Sequence, residues 1–194
     1  GWELAKRIND PGLLRTANNF STFFLYWQGK FREVVENYEK SVPNVDKLPL
    51  GQFPLLAATT VGYCYTQIGQ TTQGLGMLDT VHNFCAERGD SYLSSYAVAN
   101  MGAVMLIIRR LDEALAYLTR SCTEAREAGN QWVWLNALIT KSYTHYLLGD
   151  TRTCIRDLKL FLKESRKVRA FEFPYPYLLA LSLDMKKGKL PVVK

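Results

Sequence analysis

The chain has 194 residues, 47% apolar and 12% aromatic, which describes a folded protein with a real core and excludes a disordered polymer. No uninterrupted apolar run approaches the ~18 residues of a membrane-spanning helix, so no membrane partner is expected. The net charge of +6 is uneven: residues 152–194 hold eleven Lys and Arg against four Asp and Glu, a local +7, and the remainder is close to neutral.

Taken in chain order, a helical stub at 2–8 looks like the second helix of a preceding unit. Asp10-Pro11 then opens a helix over 11–28, with an acidic N-cap and proline at the first helical position, where its missing N–H is harmless. Helices follow over 32–42, 53–68, 71–87, 91–108, 111–127, 131–148, 151–168 and 175–187. "ERGDS" (Glu87–Ser91) and "EAGNQ" (Glu127–Gln131), forty residues apart, each supply a glycine stop and an Asp or Asn start. One join is irregular: "SVPNVDKLPLGQFP" (Ser41–Pro54) carries three prolines, which shorten a helix and lengthen a loop. No alternating strand pattern occurs, so the expected class is all-α.

The helices repeat every forty residues about turns at Gly29, Gly69, Arg109 and Gly149. Six residues after the turn stand Val35, Leu75, Leu115 and Ile155; nine after it stand Tyr38, Leu78, Leu118 and Leu158. Seven before it stand Thr22, Gly62, Gly102 and Ser142, and five after it Val34, Gly74, Ala114 and Cys154. Large residues recur where a helix buries its stripe, and small ones recur where two backbones approach.

A small residue, a large one three on, the turn glycine, and then an aliphatic stripe, as in "GYCYTQIG" (Gly62–Gly69) and "RLDEALAYL" (Arg110–Leu118), resembles the tetratricopeptide repeat. The unit here is forty residues rather than about 34, and the closing proline is replaced by the Gly89 and Gly129 stops. Such long units are similar to those of bacterial multidomain signalling and transcription regulators. The resemblance implies a right-handed α-α superhelix of about four hairpins, with units near 11–50, 51–90, 91–130 and 131–170. The whole of 1–194 would be one repeat domain, with a terminal helix at 174–188 closing the stack. Beginning at Gly1 rather than Met, it is expected to be a piece of a longer protein.

Candidate chemistry is sparse. His82 and His145 fall in core-facing columns, in different units, and read as packed histidines. Cys64, Cys85, Cys122 and Cys154 are scattered over helices without a CxxC pair, which suits reduced thiols and a cytoplasmic location. No Ser/His/Asp or Cys/His set and no phosphate-binding glycine loop can be assembled. No enzymatic activity, cofactor or metal is expected. The helix from Arg152 sets Arg152, Arg156, Lys159, Lys163 and Lys167 along one face. That face reads as solvated, with an acidic partner as its alternative and nucleic acid, through a basic C-terminal module, ranked below.

In tetratricopeptide arrays the first helix of each pair lines a concave groove, so the resemblance places a partner site on those helices. Phe23, Tyr63 and Tyr143 lie six residues before the turn, and Tyr26, Thr66 and Tyr146 three before it. Asn19, Thr59, Tyr96 and Asn136 add polar atoms. Tyrosine among amides and hydroxyls suits peptide recognition. The basic clamp of chaperone-binding relatives is not matched, its places being held by Asn19, Phe23, Tyr96 and Asn100. The expected role is a protein or peptide interaction scaffold of a larger cytoplasmic protein. The alternative is a regulatory domain sensing a peptide or small ligand.

Overall fold

A computed structural model describes residues 2–41 and 55–168. The proline-rich join and the expected helix at 175–187 lie outside the described residues. The described residues form nine helices and no strand: α1 (Trp2–Ile8), α2 (Pro11–Trp27), α3 (Phe31–Ser41), α4 (Leu55–Gln67), α5 (Thr71–Ala86), α6 (Ser91–Ile107), α7 (Leu111–Glu127), α8 (Gln131–Leu147) and α9 (Thr151–Ser165). Every boundary falls within a few residues of the sequence expectation.

The turns explain the regularity. Asn9, Gly29, Gly69, Gly89, Arg109, Gly129 and Gly149 all have left-handed backbone, with φ from 54° to 88°. They stand twenty residues apart, or forty across the undescribed join. In the six of these turns from Gly29 onward the next residue returns its N–H to the preceding helix, as from Asp90 to Cys85 O at 2.9 Å and from Asn130 to Ala125 O at 2.7 Å. That same residue opens the following helix. Asp10, Asp90, Asn130 and Asp150 accept the N–H of Leu13, Leu93, Val133 and Thr153 through their side chains. At Asp90, Asn130 and Asp150 one residue thus closes one helix and caps the next, which leaves those turns no room to drift.

Paired helices meet through their smallest residues. A Cβ added at Gly74 would lie 2.4 Å from the carbonyl oxygen of Gly62, and one at Gly102 would lie 2.6 Å from Cγ of Leu118. The fourth pair replaces glycine by Ser142, whose hydroxyl donates to Cys154 O at 2.8 Å. Each helix packs on its neighbours in chain order, and each of α2, α4 and α6 also touches the next helix but one. The core is therefore continuous along the stack. Val34, Tyr38, Val61, Cys64 and Val81 fill it near the N-terminal end, and Leu118, Leu135, Leu138, Leu158 and Phe161 near the other. The architecture is an all-α, solenoid-like stack of hairpins, and among the described residues no helix is long and apolar enough to cross a membrane.

Candidate functional site

A cleft of about 190 Å³ opens on the inner face and takes walls from all four first helices. Helix α2 supplies Phe23, Tyr26 and Trp27; α4 supplies Tyr63; α6 supplies Tyr96 and Asn100; α8 supplies Trp132, Asn136 and Thr140. Ala99, Ala103 and Ala137 lie between the rings and leave the room that the cleft occupies. A second cleft of about 380 Å³ shares Phe23, Trp27, Tyr96 and Trp132, and reaches Tyr92, Asn130 and Val133. The two form one groove running toward the N-terminal ends of α6 and α8.

The walls hold one another in place. Tyr26 meets Tyr63 edge to face at 5.9 Å between ring centroids, and Tyr96 meets Trp132 likewise at 5.4 Å. Asn100 donates to the carbonyl of Thr59 at 3.1 Å, and both Asn100 and Thr60 hydrogen-bond the Tyr96 hydroxyl. Asn136 is fixed by donation to Trp132 O at 2.9 Å. Burial pushes the Tyr26, Tyr63 and Tyr96 phenols above their ordinary value, so all three stay neutral at physiological pH. None of the residues lining either cleft carries a charge.

Of the ten residues singled out from the sequence, the cleft gathers Phe23, Tyr26, Tyr63, Tyr96 and Asn136. Asn19 instead accepts the N–H of Ala57 at 3.0 Å, serving a first-turn donor of α4 that has no partner within its own helix. Thr59 is fully buried and donates to Leu56 O at 2.7 Å. Thr66 is buried at the α4–α5 crossing, where its hydroxyl faces Gly74. Tyr143 and Tyr146 stack on each other at 6.1 Å and pack against the C-terminal core, apart from the residues lining either cleft.

Sequence reasoning passed over Trp27, Trp132 and the alanine floor. Trp132 carried a usable signal, because it shares its repeat column with Tyr92, forty residues earlier, and both line the groove. Trp27 carried none: its column holds Gln67, Ile107 and Leu147.

The histidines make internal contacts. His82 Nε2 lies 2.9 Å from the Arg120 guanidinium and its Nδ1 lies 2.9 Å from the Ser94 hydroxyl. Arginine only donates, so Nε2 accepts and Nδ1 carries the proton toward Ser94. That polarity is the reverse of a base activating a nucleophile. His145 sits 3.5 Å from Asp150, and its pKa is lowered, chiefly by burial and against the pull of Asp157 and Asp150. The four cysteines are free thiols, and burial pushes Cys64 up to about 12 and Cys85 and Cys122 up to about 11. Among the described residues no three His, Cys, Asp or Glu side chains gather as a metal site. On α9, Arg152, Arg156, Lys159 and Lys163 are exposed, with Arg156 paired to Asp157 at 3.1 Å.

No protein-family model and no curated protein matches the chain. The functional reading therefore rests on the cleft and its chemistry.

Proposed function

We propose that the chain is a tetratricopeptide-like interaction module that holds an extended protein or peptide segment in its inner groove. One observation carries this reading: the groove draws uncharged aromatic walls from all four first helices around a floor of alanines. Rigid rings offer large contact area at little entropic cost, and the ring-lined length across both clefts suits an extended chain better than a compact ligand. Four free thiols, three of them buried, support a reducing compartment, and hence the cytoplasm, as its place of work. A ligand-sensing role within a larger signalling protein draws support from the same geometry. Because α2 and α8 wall the same cleft, an occupant would resist any change in the curvature between them.

The test is a displayed peptide library selected on the protein, followed by affinity measurements on variants. Phe23→Ala should weaken the selected peptides about thirtyfold, which is the ~2 kcal/mol of a buried aromatic anchor. Ala103→Phe should fill the floor and block binding while the fold is kept. Tyr143→Ala, outside the groove, should leave affinity unchanged. Because the lining is neutral, affinity should vary little with salt, whereas phosphate or acidic contacts on α9 would give a steep dependence. A library without binders, or binders indifferent to Phe23 and Ala103, would remove the proposal's support.

A further inference from the structure

The inner groove is walled by helices, and that limits how a segment can be gripped there. A strand is held by adding it to a sheet edge, whose free N–H and C=O groups supply the hydrogen bonds. Among the described residues there is no strand, and a helix uses its interior N–H and C=O groups on itself. Acidic or phosphorylated segments call for clustered arginines, and the linings of both clefts are uncharged. An incoming helix is too thick. At about 10–12 Å across, one turn of it fills roughly 500 Å³, against clefts of about 190 and 380 Å³.

The groove offers rings set nearly square to one another. Tyr26 meets Tyr63 at 77°, and Tyr96 meets Trp132 at 74°. Each pair presents one ring face beside one ring edge, which makes a corner, and Ala99, Ala103 and Ala137 leave space beside the corners. A rigid, uncharged pyrrolidine ring suits such a corner. Its C–H groups beside the amide nitrogen are electron-poor and are drawn to the negative face of an aromatic ring. It also has no side-chain freedom to lose on burial.

Hydrogen bonding favours the same occupant. The amides of Asn100 and Asn136 already donate to Thr59 O and Trp132 O, and the Thr140 hydroxyl donates to Asn136 O at 2.8 Å. Asn130 donates to Tyr92 O and accepts the N–H of Val133, both at 3.2 Å. The carboxamides thus serve the walls. An ordinary segment would bring an N–H at every residue and find few acceptors, and an unpaired buried N–H is costly. Proline brings none.

We infer that the groove takes an uncharged, proline-rich segment in the polyproline II conformation, with its pyrrolidine rings in the corners at Tyr26–Tyr63 and Tyr96–Trp132. The inference rests on the groove reading proposed above and narrows it to one class of peptide. Aromatic-lined grooves hold such segments because the free peptide is already extended and stiff. Its period also fits. Equivalent prolines recur every three residues, about 9 Å apart, which is close to the ~8–10 Å between axes of packed helices. Helices α2, α4, α6 and α8 pack side by side in that order, so successive turns of the peptide meet successive helices.

Fluorescence anisotropy of the whole chain with a labelled decaproline peptide, and with a labelled Gly-Ser decapeptide as control, tests the inference. Decaproline should bind at least about tenfold more tightly than the control. Trp132→Leu, which stays apolar but loses the ring, should weaken it about tenfold, and Trp132→Phe should restore most of the loss. Helical circular dichroism should be retained, and if Trp132→Leu disturbs it, Ala103→Phe takes its place by filling the floor. Peptides selected from an unbiased display library should be enriched in proline. Decaproline no tighter than the control, or tight but indifferent to Trp132 and Ala103, overturns the inference. Selected peptides that are poor in proline yet depend on Phe23 and Ala103 overturn it and leave the groove reading standing. No binder of either kind removes both.

Discussion

Along the seam between paired helices, Gly62, Gly74 and Gly102 are met at once by a partner, a carbonyl or a leucine that would clash with a single added carbon. Across the inner face of the same helices, Ala99, Ala103 and Ala137 are flanked by rings and bounded by open space. Both regions use small residues, with opposite results. Each seam has a second helix behind it: Leu78 of α5 reaches into the gap at Gly62, and Leu118 of α7 into the gap at Gly102. Among the described residues no further layer covers the inner face, so a small residue there becomes the floor of a cleft. A small side chain marks close packing only where another element stands opposite.

Alkaline titration compares the two regions most forcefully, because both bury phenols. In the core, burial raises the pKa of Tyr38, and burial with the neighbouring Glu39 raises that of Tyr65. In the cleft, burial raises Tyr26 and Tyr63. These groups and Cys64, Cys85 and Cys122 bind protons more tightly when folded, so their contribution is fully present below the unfolded values. It is lost as pH rises from the ordinary thiol and phenol range of about 9 to 10 toward the folded values. We expect the melting temperature to fall steeply above about pH 9 and tyrosinate absorbance to appear together with loss of helix. Early, reversible ionisation without unfolding that is removed by Tyr26→Phe or Tyr63→Phe would show the cleft to be wetter than the core. A melting temperature flat through this range would contradict the burial of both sets. At the acid end the lowered pKa of His145 has the opposite consequence. The unfolded chain protonates first, so stability declines as pH drops below about 6.5.

The seam is the next place to break the comparison. Gly74→Ala directs a methyl group at a backbone oxygen, which cannot step aside, and overpacking of this kind costs about 1–3 kcal/mol. Gly102→Ala meets Cγ of Leu118, a buried side chain with its own backbone nitrogen close behind, and should cost a similar amount. Denaturant midpoints measure both. Equal and negligible effects would mean that the helices part easily and that the glycines are incidental.

The seam was legible in the sequence because its columns repeat: a period of forty brought Gly62, Gly102 and Ser142 into line before any coordinate did. Turn positions and helix bounds followed from the same register. The cleft was half legible. Tyr63 and Thr66, three residues apart, diverge by about 60° around an α-helix; that rotation is enough to carry Thr66 from the inner face into the seam against Gly74. Asn19, one turn before Phe23, is similarly drawn to the buried first-turn amide of Ala57 on α4, which has no partner in its own helix and whose need is invisible in a column of Asn19, Thr59, Ala99 and Ile139. That Phe20 and Phe24 of α2 are largely exposed was hidden for another reason. Aromatic residues at helical spacing read as core, and only the stack shows that this stripe belongs to a face nothing in the chain's described part covers.

The smallest effects concern one glycine that stands where none is needed and one that is missing where its sisters stand. Gly76 lies within α5, exposed, with nothing within 4 Å of an added Cβ. Gly76→Ala should therefore gain most of the ~0.8–1 kcal/mol that separates the two residues in a helix interior. Arg109 has φ of 66° at the turn position that Gly29, Gly69 and Gly149 fill. A left-handed conformation costs a residue with a Cβ about 1–2 kcal/mol, and Arg109→Gly removes that strain. Glycine also loosens the unfolded chain, which offsets about 0.4–1 kcal/mol of the gain. The net expectation is a rise in the denaturant midpoint of the same order as that of Gly76→Ala or less, and the double variant should show the sum, since the sites lie on different elements. A fall on Arg109→Gly would mean that the arginine side chain earns its place through a contact stronger than the strain it accepts.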